Sequence, residues 1–190
     1  MFTAQLNDGV VVRVVVGSII STYADMGGII AAPVTPDRQP KGRILTELDG
    51  LLNGGENPYT AHLVGDTHHG DISHLSLADI NHHPDMPEQV MFYFDHGMRG
   101  TIRSLVKTVL EAADEAEFGR IVLPLPEPRF NPETNRRDSL WSTIDRTTRV
   151  IKDFADQRPK NLRHITLVVP LDESLSSQSI QQVAKAWLHA

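Results

Sequence analysis

Apolar strand-like runs alternate with amphipathic helical patterns along this chain, and this alternation restricts its fold more than any other feature. Residues 90–94 are apolar and aromatic, which is typical of a buried strand. Between Ile102 and Ala113, apolar side chains recur at spacings of three and four, the pattern of an amphipathic helix. Residues 121–123 form another apolar run after Gly119. Because such units connect through right-handed crossovers, the alternation predicts a mainly parallel sheet.

The alternation continues in both directions along the chain. Residues 140–154 and 180–188 have helical spacing, and residues 165–169 are an apolar run between them. Near the N-terminus, residues 10–16 are a β-branched run and residues 29–32 a shorter one, and both predict strands. We therefore predict a three-layer α/β/α fold, with helices on both faces of a mixed, mainly parallel sheet.

The remaining segments are less regular. Residues 42–52 have helical spacing before an Asn-Gly-Gly stop, which predicts a further helix. Residues 56–89 hold six of the nine histidines without a strong period, so we expect short strands and loops there. Residues 17–23 and 125–137 are expected to be loops. No repeat or linker divides the chain, and we predict a single domain over residues 1–190.

Composition excludes several classes of chemistry and partner. The chain has no cysteine, so thiolate nucleophiles, disulfides and cysteine-ligated zinc are excluded. Its start lacks the features of a signal peptide, and no stretch reaches eighteen apolar residues. We therefore expect a cytoplasmic protein without a membrane partner. The net charge of −6 argues against non-specific nucleic-acid binding but is compatible with one anionic small molecule.

Three stretches of the second half resemble a known family. Residues 90–97 are a strand that ends in His-Gly, residues 101–126 a long helix and a strand that ends in Pro, and residues 165–190 a final strand and helix. In this order they look like a macro domain. The resemblance implies an α/β/α fold and a ligand that is ADP-ribose or a related nucleotide. Since some macro domains remove ADP-ribose from carriers, it also implies a candidate hydrolase.

Short motifs of the first half are similar to the same family. Residues 17–19, Gly-Ser-Ile, stand where the family has Gly-Asp-Ile, whose carboxylate contacts adenine. Residues 29–34 stand where it has an Ile-Val-Asn-Ala-Ala-Asn type of strand end, and alanine and valine replace both asparagines. Residues 65–67, Gly-Asp-Thr, are similar to the family's Gly-Asp-Ala. Ser18 supplies no carboxylate, so this chain departs from the family at the adenine contact.

Proline is frequent in both loops that the family uses to bind phosphate. Residues 33–42 hold three prolines and residues 125–130 hold two. Glycine lets backbone N–H groups approach phosphate oxygens, whereas proline has no N–H to donate. The resemblance thus implies a remodelled cleft. The ligand-binding residues that it implies are Ser18, Ile19, Pro33, Thr35, Lys41, Gly42, Arg43, Leu125, Pro126, Arg129 and Phe130.

The strand pattern alone predicts the same cleft, because open α/β sheets bind ligands at the carboxyl ends of their strands. The loops that would meet there are residues 17–23, 33–43 and 125–137. Lys41 and Arg43 stand at the start of a predicted helix, whose N–H groups also favour an anion. Arg129 would join them, with Phe130 stacked on a base or ribose. The alternative is a set of solvated loop charges and a packed phenylalanine.

The histidine-rich segment suggests a different chemistry. Residues 66–74 hold two aspartates and three histidines, and further candidate ligands follow at His82, His83 and Asp85. Such side chains suit zinc, manganese or iron, although no His-Glu-x-x-His motif occurs and loop histidines more often face solvent. Asp66 and His68 are our candidate acid–base residues. We assign no metal ligands and expect no cofactor.

Asp95 and His96 follow the strand at residues 90–94. They would orient a water or a substrate hydroxyl if they faced a pocket, but the sequence favours a role in capping the turn. No Gly-x-Ser-x-Gly nucleophile motif is present.

Three functional hypotheses follow from the sequence. The first is a protein that binds a nucleotide-derived ligand and, if it is an enzyme, hydrolyses a glycosidic or ester link with a positioned water. The second is a non-catalytic interaction protein with a protein partner, which kept the fold and lost the site. The third is a metal-dependent hydrolase that uses the histidine-rich segment.

Overall fold

A computed structural model describes residues 1–6, 9–34, 70–76, 89–95, 101–131 and 135–170, and single positions at 178, 180, 182 and 185. The helices and strands of these ranges follow in chain order. They are β1 (Phe2–Gln5), β2 (Val11–Val16), α1 (Ile19–Met26), β3 (Ile29–Val34), β4 (Ile72–Ser76), β5 (Gln89–Phe94), α2 (Ile102–Glu115), β6 (Arg120–Pro124), β7 (Phe130–Asn131), β8 (Arg136–Arg137), α3 (Leu140–Asp156) and β9 (His164–Val169).

Seven of the strands form one sheet, in the order β1-β2-β9-β6-β3-β5-β4. Its five central strands are parallel, and the two outer strands, β1 and β4, pair antiparallel with their neighbours. The remaining strands, β7 and β8, form a two-residue antiparallel hairpin. The mixed, mainly parallel sheet predicted from the sequence is confirmed.

Alternate residues of the central strands point to opposite faces of the sheet, and both sets are buried. On β5, Met91 and Tyr93 pack in the cluster that contains the apolar faces of α2 and α3. Phe92 and Phe94 pack on the other face, in the cluster that contains Ile19 of α1. Burial on both faces explains why these strands are continuous apolar runs in the sequence. The predicted three-layer arrangement is therefore confirmed.

A hydroxyl side chain caps the start of each long helix. The Thr101 side chain accepts a hydrogen bond from the Ser104 N–H at 3.0 Å, and the Ser139 side chain accepts one from the Ser142 N–H at 3.1 Å. Such caps contribute about 1 kcal/mol each to helix stability. They place the start of α2 and α3 where the apolar spacing of the sequence begins.

The sequence prediction of a loop at residues 17–23 is wrong, because this segment holds the start of α1. The Ser18 side chain accepts a hydrogen bond from the Ser21 N–H at 3.3 Å, and the Gly27 N–H donates to the Tyr23 carbonyl at 2.7 Å. Gly27 has a φ of 67°, which favours glycine at a helix end. With eight residues, α1 is too short to show a clear helical period, and isoleucine, serine and threonine are weak helix formers.

Some elements were not predicted, and some predicted elements lie wholly or partly outside the described residues. Strands β1, β4, β7 and β8 were not predicted individually, and β7 and β8 lie within the segment expected to be a loop. The predicted helix at residues 42–52 lies outside the described residues. Of the predicted C-terminal helix, positions 178, 180, 182 and 185 are described, and all four are helical. No described helix is long and apolar enough to cross a membrane.

Candidate ligand cleft at the carboxyl ends of the strands

The carboxyl ends of the five parallel strands lie along one edge of the sheet, and hydrogen bonds extend the ladder just beyond several of them. The Gly17 N–H donates to the Val169 carbonyl at 3.0 Å, and the Leu125 N–H donates to Val168 at 2.8 Å. The Asp95 N–H donates to the Val34 carbonyl at 2.8 Å. The segments that leave β2, β6 and β5 are thus held against neighbouring strands at this edge of the sheet.

The strands β3 and β6 separate at this edge. Their ladder stops at the pair Ile30↔Val122, although both strands continue beyond it. The ladder between β3 and β5, in contrast, continues to the pair Val34↔Phe94. The described part of the sheet therefore opens between β3 and β6 at its carboxyl edge.

Two prolines lie at this edge. Pro33 lies on β3 and Pro124 on β6, both beyond the last pair that joins the two strands. Proline has no N–H to donate, so each position offers one backbone donor fewer, although Pro33 still pairs in register with Tyr93 and Pro124 with Val168. Pro33 is half-buried in β3 rather than part of a loop.

Ser18 and Ile19 lie at the start of α1, on the same edge. Besides its side-chain cap, Ser18 accepts a hydrogen bond at its carbonyl from the Thr22 hydroxyl at 2.7 Å. Ile19 is buried in the core between α1 and the sheet. Both residues therefore have structural roles that the sequence did not indicate, since residues 17–23 were expected to be a loop.

An ion pair joins the end of β5 to the loop that follows β6. The Arg129 Nη1 donates to the Asp95 Oδ1 at 2.5 Å, with 8% of Arg129 and 2% of Asp95 exposed. The sequence pointed to Arg129 as a phosphate contact and to Asp95 as a turn residue, and it did not indicate that they pair. They are 34 positions apart, so only the tertiary fold brings them together.

The hydroxyl of Tyr93 lies in the same buried surroundings. Burial raises the pKa of Tyr93 well above its usual value, the charges of Asp95 and Glu127 raise it further, and the charge of Arg129 opposes them. The phenol is therefore neutral at physiological pH. Within the described structure its Oη has no hydrogen-bond partner.

The loop after β6 is held at both ends. The Asp138 N–H donates to the Arg129 carbonyl at 2.7 Å, next to the β7–β8 hairpin. The Asp138 carboxylate in turn accepts a hydrogen bond from Arg146 of α3, also at 2.7 Å. Leu125 and Pro126 are buried at the start of this loop. Hydrogen bonds and packing, rather than glycines, thus shape the segment that the sequence predicted to contact phosphate.

Several predicted site residues lie outside the described residues. These are Thr35, Lys41, Gly42, Arg43, Asp66 and His68, together with the candidate metal ligands His82, His83 and Asp85 and the turn residue His96. The side chain of Phe130 is not described either. Their proposed roles stay predictions.

The described part of the histidine-rich segment contains no metal-binding group. Residues 70–76 include Asp71 and His74, and the His74 ring stacks on Phe118 with the two ring centroids 6.1 Å apart. Among the described residues, no three histidine or carboxylate side chains come close enough to hold a metal ion. The only described histidine of this segment therefore packs against an aromatic ring.

A separate groove of about 740 Å³ lies between the start of α2 and the second half of α3. Its lining includes Arg103, Arg146, Arg149 and Lys152. Each of the three arginines forms an ion pair with an aspartate, at 2.7 to 3.2 Å. The charges of this groove are thus largely balanced, and the sequence did not indicate it.

Comparisons with known proteins identify the fold. No family model matches the chain, and no curated protein matches it. The Oceanobacillus iheyensis macrodomain with MES bound is similar in structure, with a TM-score of 0.69 and 14% identity, over 99% of this chain and 96% of that one.

Two further solved structures agree. The macro domain of ganglioside induced differentiation associated protein 2 has a TM-score of 0.63 and 11% identity, over 93% of this chain and 84% of its own. The Trypanosoma brucei macrodomain in complex with ADP has a TM-score of 0.64 and 8% identity, over 90% of this chain and 68% of its own. The chain therefore has the macrodomain fold.

Proposed function

We propose that this protein binds a nucleotide-derived ligand of the ADP-ribose type at the carboxyl edge of its sheet. The observation that carries the proposal is the opening between β3 and β6, since ligands of open α/β sheets bind where neighbouring strands separate at their carboxyl ends. The structural neighbours add support, because one is a complex with ADP and another, a mutant of the Oceanobacillus iheyensis macrodomain, is described with ADPR.

The proposed ligand lies across the opening and contacts residues from both of its sides. From the first half of the chain these are Ser18, Ile19, Pro33, Thr35, Lys41, Gly42 and Arg43. From the loop after β6 they are Leu125, Pro126, Arg129 and Phe130. Arg129 is the described cation among them, and its charge favours a phosphate group on the ligand.

Hydrolysis is the finer form of the proposal. It requires a water positioned beside a glycosidic or ester link, with Asp66 and His68 as acid and base. An activity assay on ADP-ribosylated protein, with Asp66→Asn beside the unaltered chain, tests this form. Turnover by the unaltered chain that is lost in the variant supports it, and the absence of turnover by both removes it.

A non-catalytic interaction protein is the competing proposal. It is favoured by the prolines of the loop after β6, which lack the N–H groups that phosphate needs, and by the pairing of Arg129 with Asp95. A metal-dependent hydrolase has no such support among the described residues. Metal content by mass spectrometry tests it directly, because a tightly bound zinc, manganese or iron would return it to consideration.

The first experiment is a thermal-shift screen with ADP-ribose, NAD, ADP, AMP and adenosine, with inosine and guanosine nucleotides as controls, followed by calorimetric titration. Ligand at a hundred times its Kd stabilises the native state by about 2.7 kcal/mol, which is visible as a raised Tm. A shift with adenine nucleotides and none with inosine or guanosine nucleotides supports the proposal. No shift with any of them supports the interaction protein instead.

Arg129→Ala provides the site test, with Arg137→Ala as its control, since Arg137 is an exposed arginine of the same loop. We expect Arg129→Ala to weaken phosphate-ligand binding severalfold and Arg137→Ala to leave it unchanged. Equal affinities for the two variants would remove Arg129 from the site.

A further inference from the structure

We propose that Asp95 is a specificity-determining residue of this cleft: its carboxylate offsets the charge of Arg129 and limits the contribution of ligand phosphates to binding. The inference rests on the proposed function, because it concerns the same edge of the sheet. It assigns to the site a ligand that binds mainly through its nucleoside part, so that phosphates add little affinity.

The geometry of the pair is the first support. The Arg129 guanidinium and the Asp95 carboxylate are 2.5 Å apart, and both side chains are buried. Opposite charges attract more strongly in such surroundings than in water, and their hydrogen bond is charge-assisted. A phosphate that approaches this edge therefore meets a neutralised pair instead of a separate cation.

The fixed position of Arg129 is the second support. Its carbonyl accepts the Asp138 N–H, and the β7–β8 hairpin follows it directly. Arg146 of α3 holds Asp138 through the carboxylate. If Arg129 moved toward a ligand, the side chain would have to break the ion pair with Asp95 while its backbone stayed fixed, and breaking a buried ion pair is costly.

The neighbouring charges are the third support. Around the buried Tyr93 hydroxyl, the charges that act are those of Asp95, Glu127 and Arg129. At this hydroxyl the charge of Asp95, and more weakly that of Glu127, opposes the charge of Arg129.

The test compares adenosine with ADP, which differ only in the two phosphates. Calorimetric titration gives the phosphate preference, defined as the Kd of adenosine divided by the Kd of ADP. For the unaltered chain we expect a preference of a few-fold. Asp95→Asn keeps the shape of the side chain and removes its charge, so it should raise the preference about tenfold through tighter ADP binding alone. That factor corresponds to about 1.4 kcal/mol.

Two further variants keep the test decisive. Asp95→Asn with Arg129→Gln removes both charges of the pair together, so it should fold even if Asp95→Asn does not. Its phosphate preference should equal that of the unaltered chain. If this double variant loses most ADP affinity while adenosine affinity persists, Asp95 does not offset Arg129 and the inference is overturned.

The control is Asp138→Asn, which removes a carboxylate from the same loop and breaks its ion pair with Arg146 of α3. An increase in phosphate preference as large as that of Asp95→Asn would mean that any lost carboxylate has the effect, and would also overturn the inference. If Asp95→Asn binds adenosine and ADP with the same phosphate preference as the unaltered chain, the inference is overturned but the proposed function stands. Failure of the unaltered chain to bind either ligand removes both.

Discussion

Two aspartates, one before α2 in the sequence and one in its last turn, are held by different kinds of group. Asp95, at the carboxyl edge of the sheet, forms an ion pair with the side chain of Arg129. Asp114, in the last turn of α2, accepts hydrogen bonds from the backbone N–H groups of residues 160, 161 and 162. Hydrogen bonds from backbone N–H groups fix a carboxylate to the path of the main chain. An ion pair with a side chain can rearrange while the main chain stays in place.

The backbone hydrogen bonds of Asp114 affect its pKa. Burial alone would raise the pKa of Asp114, but the N–H groups of Leu162, Asn161 and Lys160, aided by the charge of Arg163, hold the pKa below its usual value. The carboxylate joins the end of α2 to the segment that enters β9. We infer that the amino edge of the sheet serves stability, and that the carboxyl edge carries the groups that decide ligand preference.

The largest expected effect breaks the pair at the carboxyl edge. Asp95→Ala or Arg129→Ala breaks this buried ion pair, which costs about 3–5 kcal/mol of unfolding free energy. The double variant should lose less than either single one, because it removes both charges of the pair. Urea denaturation of all three variants measures this, and additive losses would mean that the two side chains do not depend on each other.

A smaller loss is expected at the amino edge. Asp114→Ala removes the acceptor of three backbone N–H groups and should cost about 2 kcal/mol, with no change in ligand affinity. Glu115→Ala, at the exposed next position, is the matched control and should be neutral. If Asp114→Ala altered ligand affinity as much as stability, the division of roles between the two edges would fail.

The pH dependence sharpens the same comparison. The folded pKa of Asp114 lies below its unfolded value, so its stabilising contribution is present above the unfolded pKa near 3.8 and is lost as pH falls through the folded pKa. Between these two pKa values, the Asp114 carboxylate is protonated in the unfolded chain and ionised in the native chain. Asp114→Asn should therefore flatten the acid limb of the stability curve, and an unchanged limb would contradict the assigned environment.

The smallest effect concerns His164, at the start of β9. Burial lowers the pKa of His164, and the charges of Arg120 and Arg13 lower it further. As pH falls below the unfolded value near 6.5, the unfolded chain binds a proton before the native state does, so stability decreases. His164→Gln should reduce the stability difference between pH 7 and pH 5. An equal stability difference in the unaltered chain and in the variant would show that the pKa of His164 is the same in the native and the unfolded state.

The sequence predicted those parts of the molecule in which one local rule decides the structure. Buried parallel strands are continuous apolar runs, so β2, β3, β5, β6 and β9 were recognisable, and the spacing of α2 and α3 was too. The fold class followed from their alternation. In contrast, α1 has weak helix formers and eight residues, and a hydroxyl cap decides where it begins.

The candidate site was less predictable, because long-range contacts decide it. Arg129 was recognised as a cation of the loop, but its partner Asp95 lies on another strand end. Likewise, the opening between β3 and β6 depends on the strand order, which places these two strands side by side. Pairings of this kind come from the topology, which single positions do not reveal.

The strand order also has a consequence for how the chain acquires its structure. β2, near the N-terminus, pairs in parallel with β9, more than 150 positions later, through register pairs such as Val12↔Ile165. During synthesis, the edge of β2 that pairs with β9 therefore stays unpaired until β9 has left the ribosome. Such distant pairing slows folding and exposes an apolar strand edge to neighbouring chains. A nascent chain stalled before residue 164 should consequently be a substrate for chaperones and proteases.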